Sequence, residues 1–183
     1  MNFITTRFAE EELASAADLI EYGIDGCDLG NVLVARSKTG VCAILLGANQ
    51  EEMEQSLAAI FPASLLVHNK AHVRDELAKV VQFIASPKGN LDLELDVRGT
   101  PFQHRVWYAL RTVECGRPVT YAQLACRMHG PKSLRAIAQA CSENPIAIAI
   151  PCHRVMGNSG STTGYRWGVE RKRTMVNREL AEA

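Results

Sequence analysis

The sequence predicts an α/β N-terminal domain with a short, mainly antiparallel sheet. A mainly α C-terminal domain containing a helix-turn-helix follows it. Three observations predict this. Apolar, β-rich runs flank Lys38-Thr39-Gly40, which is the pattern of a hairpin. Two capping boxes, Thr100-Pro101-Phe102-Gln103 and Thr120-Tyr121-Ala122-Gln123, open helices in the second half. Charge divides along the same line. Residues 1–98 hold 8 Lys/Arg and 15 Asp/Glu, whereas residues 99–183 hold 12 and 5. The junction falls at Arg98-Gly99, giving domains 1–97 and 98–183.

Taken in order, residues 1–20 are weakly patterned and read as a loose tail with a short helix. Tyr22 to Cys27 is a candidate strand. Val32 to Val34 and Val41 to Leu46 form the hairpin. Asn49, with Glu52 three residues on, opens a helix that stops before Phe61-Pro62. Val73, Leu77, Val80, Val81 and Ile84 recur at helical spacing over 70–85, and Pro87 ends that pattern. Leu91, Leu93 and Leu95 alternate with Asp92, Glu94 and Asp96, as in a half-exposed strand. His68 and His72 are four apart, but no third ligand accompanies them, so no metal is expected.

The Thr100 box starts a helix with an apolar face of Phe102, Val106, Trp107 and Leu110. The Thr120 box starts a short helix ending near Gly130, and Pro131 begins another that runs to about Cys141. This pair reads as a helix-turn-helix with 131–142 as the recognition-type helix, carrying Lys132 and Arg135 near its start. A closing helix holds Arg171, Lys172, Arg173 and Arg178, read as a solvated basic face, together with Glu179, which nothing local marks.

Between the last two helices, Ile146 to Ile150 run apolar between Pro145 and Pro151. Neither proline donates a backbone hydrogen bond, which predicts a buried, extended segment presenting Cys152 and His153. A cysteine on a rigid turn beside a histidine is a candidate nucleophile, because the thiolate attacks and a base must produce it. The other five cysteines have neither Cys-x-x-Cys nor zinc-finger spacing and read as small buried residues. No apolar run is long enough to span a bilayer, and the first residues do not read as a signal peptide. The expectation is a cytoplasmic monomer whose basic half meets a polyanion such as nucleic acid.

The string Pro151-Cys152-His153-Arg154-Val155, preceded by Asn144-Pro145 and followed by Gly164-Tyr165-Arg166-Trp167-Gly168, resembles the O6-alkylguanine-DNA alkyltransferases. Cys27-Asp28-Leu29-Gly30, Gly40 to Gly47 and Arg98 to Gln103 extend the likeness from about Tyr22 to Glu179. The resemblance implies an RNase H-like N-terminal domain packed on a helix-turn-helix, winged-helix-like C-terminal domain. It implies one-way alkyl transfer from guanine O6, and from thymine O4, to Cys152, without cofactor or metal. His153 would be the base through a water, Glu179 its orienter and Asn144 the brace of the turn. Tyr121 would protonate the departing guanine. Double-stranded DNA would be held through its minor groove, tolerant of sequence, with the alkylated nucleotide flipped out.

Arg135 would fill the gap left by the flipped base. Lys132, Ser133, Thr120, Tyr165 and Arg154 would contact DNA, and Tyr165, Val155 and Trp167 would line the base pocket. Trp167 there would disfavour bulky groups such as benzyl. Three competitors remain from the residues alone: a Cys-His-Glu thiol hydrolase, an alkylated-DNA sensor without catalysis, and a transcription regulator using only residues 120–142.

Overall fold

The computed structural model describes residues 18–128, 133–157 and 164–182. The expected N-terminal tail helix, the turn within the helix-turn-helix and Lys132 lie outside them. Within the described residues, β1 (Leu19–Cys27), β2 (Gly30–Arg36) and β3 (Val41–Gly47) form an antiparallel meander. Gly30, at φ 108°, permits the tight β1–β2 turn that a side chain would strain. Asn49 caps α1 (Gln50–Ile60), its side chain accepting from the Glu51 and Glu52 amides, as the sequence predicts.

The sheet is mainly antiparallel, as expected, with one strand beyond those the sequence shows. A fourth strand, β4 (Leu65–His68), pairs in parallel with β1, giving the order β3-β2-β1-β4 and a mixed sheet. Only four residues long and largely exposed, β4 shows no burial pattern that sequence could reveal. His68 ends this strand and His72 lies in the turn before α2 (Arg74–Ala85), so the two do not share a helical face. Among the described residues no three His, Cys, Asp or Glu side chains converge as metal ligands.

Both faces of β2 and β3 are covered, which explains their unbroken apolar runs. Val32 to Ala35 and Val41 to Leu46 are all buried. Helix α2 packs on β1 and β2, and α1 packs on β3. The predicted strand over Leu91 to Leu95 is reduced to a single bridge, Leu95 to Val41. The Val41 amide donates to Glu94 O and the Asp96 amide to Val41 O, so this chain hydrogen-bonds to β3 only at that point.

The second half begins where expected. Thr100 and Gln103 form a reciprocal capping box with Pro101 at the first position of α3 (Pro101–Arg111). Val106, Trp107 and Leu110 face inward, and the Trp107 indole donates to Ala140 O at 2.8 Å. A second reciprocal box, Thr120 with Gln123, opens α4 (Tyr121–Arg127). Ser133 caps α5 (Leu134–Ser142), which starts three residues later than predicted. Its hydroxyl accepts from the Ala136 amide at 3.4 Å and closes the helix end. Two-residue strands β5 (Val119–Thr120) and β6 (Val155–Met156) pair in parallel, and α6 (Val169–Glu182) closes the chain. No helix among the described residues is long and apolar enough to cross a membrane.

Candidate active site

Residues 144–154 carry the site, and their local chemistry explains the shape. Buried as predicted, Ile146 to Ile150 are nevertheless a succession of turns and not extended. The Ile150 amide donates to Ile146 O, the Ala149 amide to Ala147 O and the Cys152 amide to Ile150 O. Ile148 sits at φ 70°, a conformation that costs a β-branched residue about 1–3 kcal/mol and persists only when its surroundings dictate it.

Two things dictate it. The edge of β3 grips the run from outside, with the Ile44 amide donating to Pro145 O and the Ala147 amide to Ile44 O. Asn144 holds it from within. Fully buried, its amide nitrogen donates to Ile146 O at 3.3 Å, to Ile150 O at 2.9 Å and to Cys152 Sγ at 3.2 Å. Its carbonyl oxygen accepts from the Ile146 amide at 2.9 Å. A short 3₁₀ turn, Cys152–Arg154, then ends the coil.

The Cys152 thiol is buried, and burial pushes its pKa up. The Asn144 hydrogen bond and the nearby Lys172 cation pull it the other way without fully compensating. A resting thiol therefore needs a base. His153, also buried, lies next in the chain, and burial holds its imidazole below the ordinary histidine range against the pull of Glu179. Its Nε2 is 2.8 Å from Glu179 Oε1. Burial alone would raise the Glu179 carboxyl, but hydrogen bonds from His153 and Arg154 outweigh it and bring the pKa to about 2. An ionised carboxylate only accepts, so Nε2 carries the imidazole proton and Nδ1 keeps its lone pair. That Nδ1 is buried with no hydrogen-bond partner among the described residues.

These groups set an acid limit on stability. His153 is depressed, so its contribution is complete above about pH 6.5 and is lost as pH falls below that. Glu179 adds about 3 kcal/mol that is present above about pH 4.5 and lost as pH falls towards about 2. Urea melts from pH 7 to pH 3 should show a midpoint falling in two stages. Glu179→Gln should shrink the lower stage, to which Asp18, Asp25 and Asp96 also contribute, and an unchanged lower stage in that variant would refute the assignment.

The other expected residues separate into two groups. Tyr121, at the start of α4, is half-buried near Cys141 and Cys152, and burial pushes its hydroxyl up to about 12, so it remains a proton donor. The Tyr165 hydroxyl is buried, unpartnered among the described residues and raised well above its ordinary value, first by burial and then by Cys152. Arg135 is exposed on the first turn of α5 and has no hydrogen-bonding or ion-pairing partner among the described residues.

Five of the expected residues have other engagements among the described residues. Arg154, expected on DNA, is buried and bonded to Glu179, Asn90, Val113 and Gly89, so it has no free donor to offer a phosphate. Val155 is fully buried and pairs with Val119, a core position. The Ser133 and Thr120 hydroxyls both cap helices. Trp167 is buried and, with Leu45, Leu46 and Met53, lines a pocket against β3 and α1, under the Arg166 guanidinium at 4.8 Å.

Lys172 was not anticipated. Read as part of a solvated basic face, it is fully buried, with Nζ 3.5 Å from Gly164 O and 6.0 Å from the Tyr165 ring. Burial lowers its pKa, opposed by Cys152 and Cys141. The signal was spacing: Lys172, Met175, Val176 and Glu179 stand at i, i+3, i+4 and i+7, one face of a helix, and all four are buried. Arg171 and Arg178 also turn inward, to Leu29 O and to Ile84 O. Of the four cations, only Arg173 is more than half exposed.

Comparison with known proteins adds relatives. Residues 101–181 match the model of the 6-O-methylguanine DNA methyltransferase, DNA binding domain. The chain is 43% identical over 160 residues to the Escherichia coli bifunctional transcriptional activator/DNA repair enzyme Ada, covering 87% of this chain and 45% of that protein. The chain thus spans about half the length of such relatives. It is 31% identical over 185 residues to the methylated-DNA--protein-cysteine methyltransferase of Kluyveromyces lactis, covering 89% of this chain and 98% of that one. Among solved structures, Mycobacterium tuberculosis OGT in complex with DNA superimposes with a TM-score of 0.75 at 29% identity, covering 89% of this chain and 94% of that one.

Proposed function

The chain belongs to the 6-O-methylguanine DNA methyltransferase family, and on that premise we propose that it repairs DNA by moving an alkyl group from guanine O6 to its own Cys152. The observation that carries this is the linked set Asn144–Cys152 and His153–Glu179, in which a buried thiol stands beside a neutral imidazole oriented by an ionised carboxylate. His153 Nδ1, through a water, takes the thiol proton. The sulfur attacks the alkyl carbon, the carbon–oxygen bond breaks, and its electron pair goes to the guanine. Tyr121, still protonated at neutral pH, supplies a proton to that leaving base. The product is a thioether, so each chain acts once.

An alkyl group on O6 lies inside the base stack, so the nucleotide flips out of double-stranded DNA before a buried thiol meets it. Helix α5 lies in the minor groove and Arg135, exposed and free among the described residues, occupies the gap. Tyr165 walls the base pocket near Cys152. Thymine O4 lesions are a second substrate. The N-terminal half is RNase H-like, the C-terminal half from residue 98 is winged-helix-like, and the protein is a cytoplasmic monomer.

The test is stoichiometric. A duplex carrying labelled O6-methylguanine is incubated with a range of protein concentrations, and label on protein is counted. A plateau near one methyl group per chain is expected. Continued release of label would establish a hydrolase, and binding without labelled protein would establish a sensor; either result overturns the proposal.

A further inference from the structure

We propose that Arg154 is a positioning residue: its guanidinium balances the Glu179 carboxylate and so leaves His153 free to receive the Cys152 proton. The inference rests on the transfer reading above and adds a member to its proton-handling chain. A buried carboxylate 2.8 Å from an imidazole normally draws a proton onto that imidazole. A histidine already protonated is no base. Burial of His153 opposes that draw, and a counter-charge on the carboxylate opposes it further.

Arg154 supplies that counter-charge. Its Nε lies 2.9 Å from Glu179 Oε2 and its Nη2 2.9 Å from Oε1, so one guanidinium covers both carboxylate oxygens. The remaining donors are occupied as well. Nη1 donates to Asn90 Oδ1 at 2.6 Å and to Val113 O at 2.7 Å, and Nη2 donates to Gly89 O at 2.9 Å. Every N–H of the guanidinium therefore has an acceptor, drawn from the chain after α2, the end of α3 and helix α6. A permanently charged, planar group held at this many points cannot swing away from the carboxylate.

The charges close only with His153 neutral. Arg154 and Glu179 cancel, and a further proton on His153 would leave an uncompensated buried cation. Lys172, facing the same region from α6, adds to that penalty. The remaining titratable neighbours are Cys152 in the same turn, Tyr165 before α6 and Cys115 beside the Arg154–Glu179 pair. None of these supplies a negative charge at rest, because burial raises all three.

The experiment follows the His153 imidazole by NMR titration in the full chain, beside single-turnover methyl transfer from pH 6 to pH 9. Arg154→Met should raise the His153 midpoint by about one to three pH units. Transfer at pH 7 should fall about tenfold or more and recover towards pH 9. Arg154→Lys keeps the charge and should keep the wild-type midpoint despite fewer hydrogen bonds. Arg154→Met/Glu179→Gln removes both charges and should bring the midpoint back down.

An unmoved midpoint in Arg154→Met, or a rate loss equal at every pH, overturns the proposal and leaves Arg154 a packing residue. Should Arg154→Met fail to fold, the wild type still decides, since imidazolium at His153 at pH 7 overturns it too. The titration reads His153 alone. A wild type that moves no methyl group would thus refute the transfer reading, while the charge balance would still be judged by the midpoints.

Discussion

Cys152→Ala is expected to abolish labelled-methyl uptake completely while leaving a folded protein that still binds duplex DNA. Six cysteines compete for the acceptor role, and the structure separates them. Cys42 is buried in β3, where burial pushes its thiol up to about 12. Cys141 is buried beside the site, and burial followed by the Cys152 charge raises it further still. Cys27 and Cys115 are also raised by burial, and Cys126 is exposed with no histidine next to it in the chain. Only Cys152 accepts a hydrogen bond from a buried amide and is followed by a buried imidazole.

The fold tolerates the change for a local reason. Asn144 keeps its bonds to Ile146 O and Ile150 O when the sulfur is gone, so the turn remains braced. The loss is one polarizable atom from a packed site, worth about 1 kcal/mol. The exposed face of α5 with Arg135 is untouched. The measurement is label per chain beside a DNA-binding titration of the same preparation. Residual uptake near the wild-type plateau would move the acceptor to another cysteine.

Glu179→Ala is expected to be the most destabilising single change in the site, by about 3–5 kcal/mol, because it leaves the Arg154 charge buried without its counter-charge. It also strips His153 Nε2 of its acceptor, which frees the ring to change tautomer. Transfer should then fall about 100-fold or more in whatever fraction stays folded. Glu179→Gln separates the two effects. Its side-chain carbonyl can still accept from His153, but it carries no charge for Arg154. It should therefore recover part of the rate and little of the stability. Urea unfolding gives the first quantity and single-turnover labelling the second. A Glu179→Ala protein as stable as wild type would show that Arg154 is solvated and that the buried ion pair is not formed.

The comparison of these two residues shows where sequence reading stops. Cys152 and His153 are adjacent in the chain between recognisable prolines, so local chemistry marks them. Glu179 lies 26 residues beyond His153 on a helix whose charges all look alike. Only the resemblance to the alkyltransferases singled it out. Arg154, which the resemblance places on DNA, is likewise decided at long range, by the chain at Gly89 and Asn90 folded over it.

By itself, the sequence determined the helices, the caps and the reactive dipeptide. Capping boxes at Thr100 and Thr120, the Asn49 cap and the hairpin around Gly40 are short-range hydrogen bonding and backbone geometry, complete within a few residues. Tertiary structure alone decided the rest, because burial and charge pairing depend on residues far apart in the chain. It added the parallel strand β4, coiled residues 146–150 against β3, and turned Lys172 inward. It also enclosed Arg154 with Glu179 and buried His153, and that burial holds the imidazole below its ordinary range against the pull of Glu179.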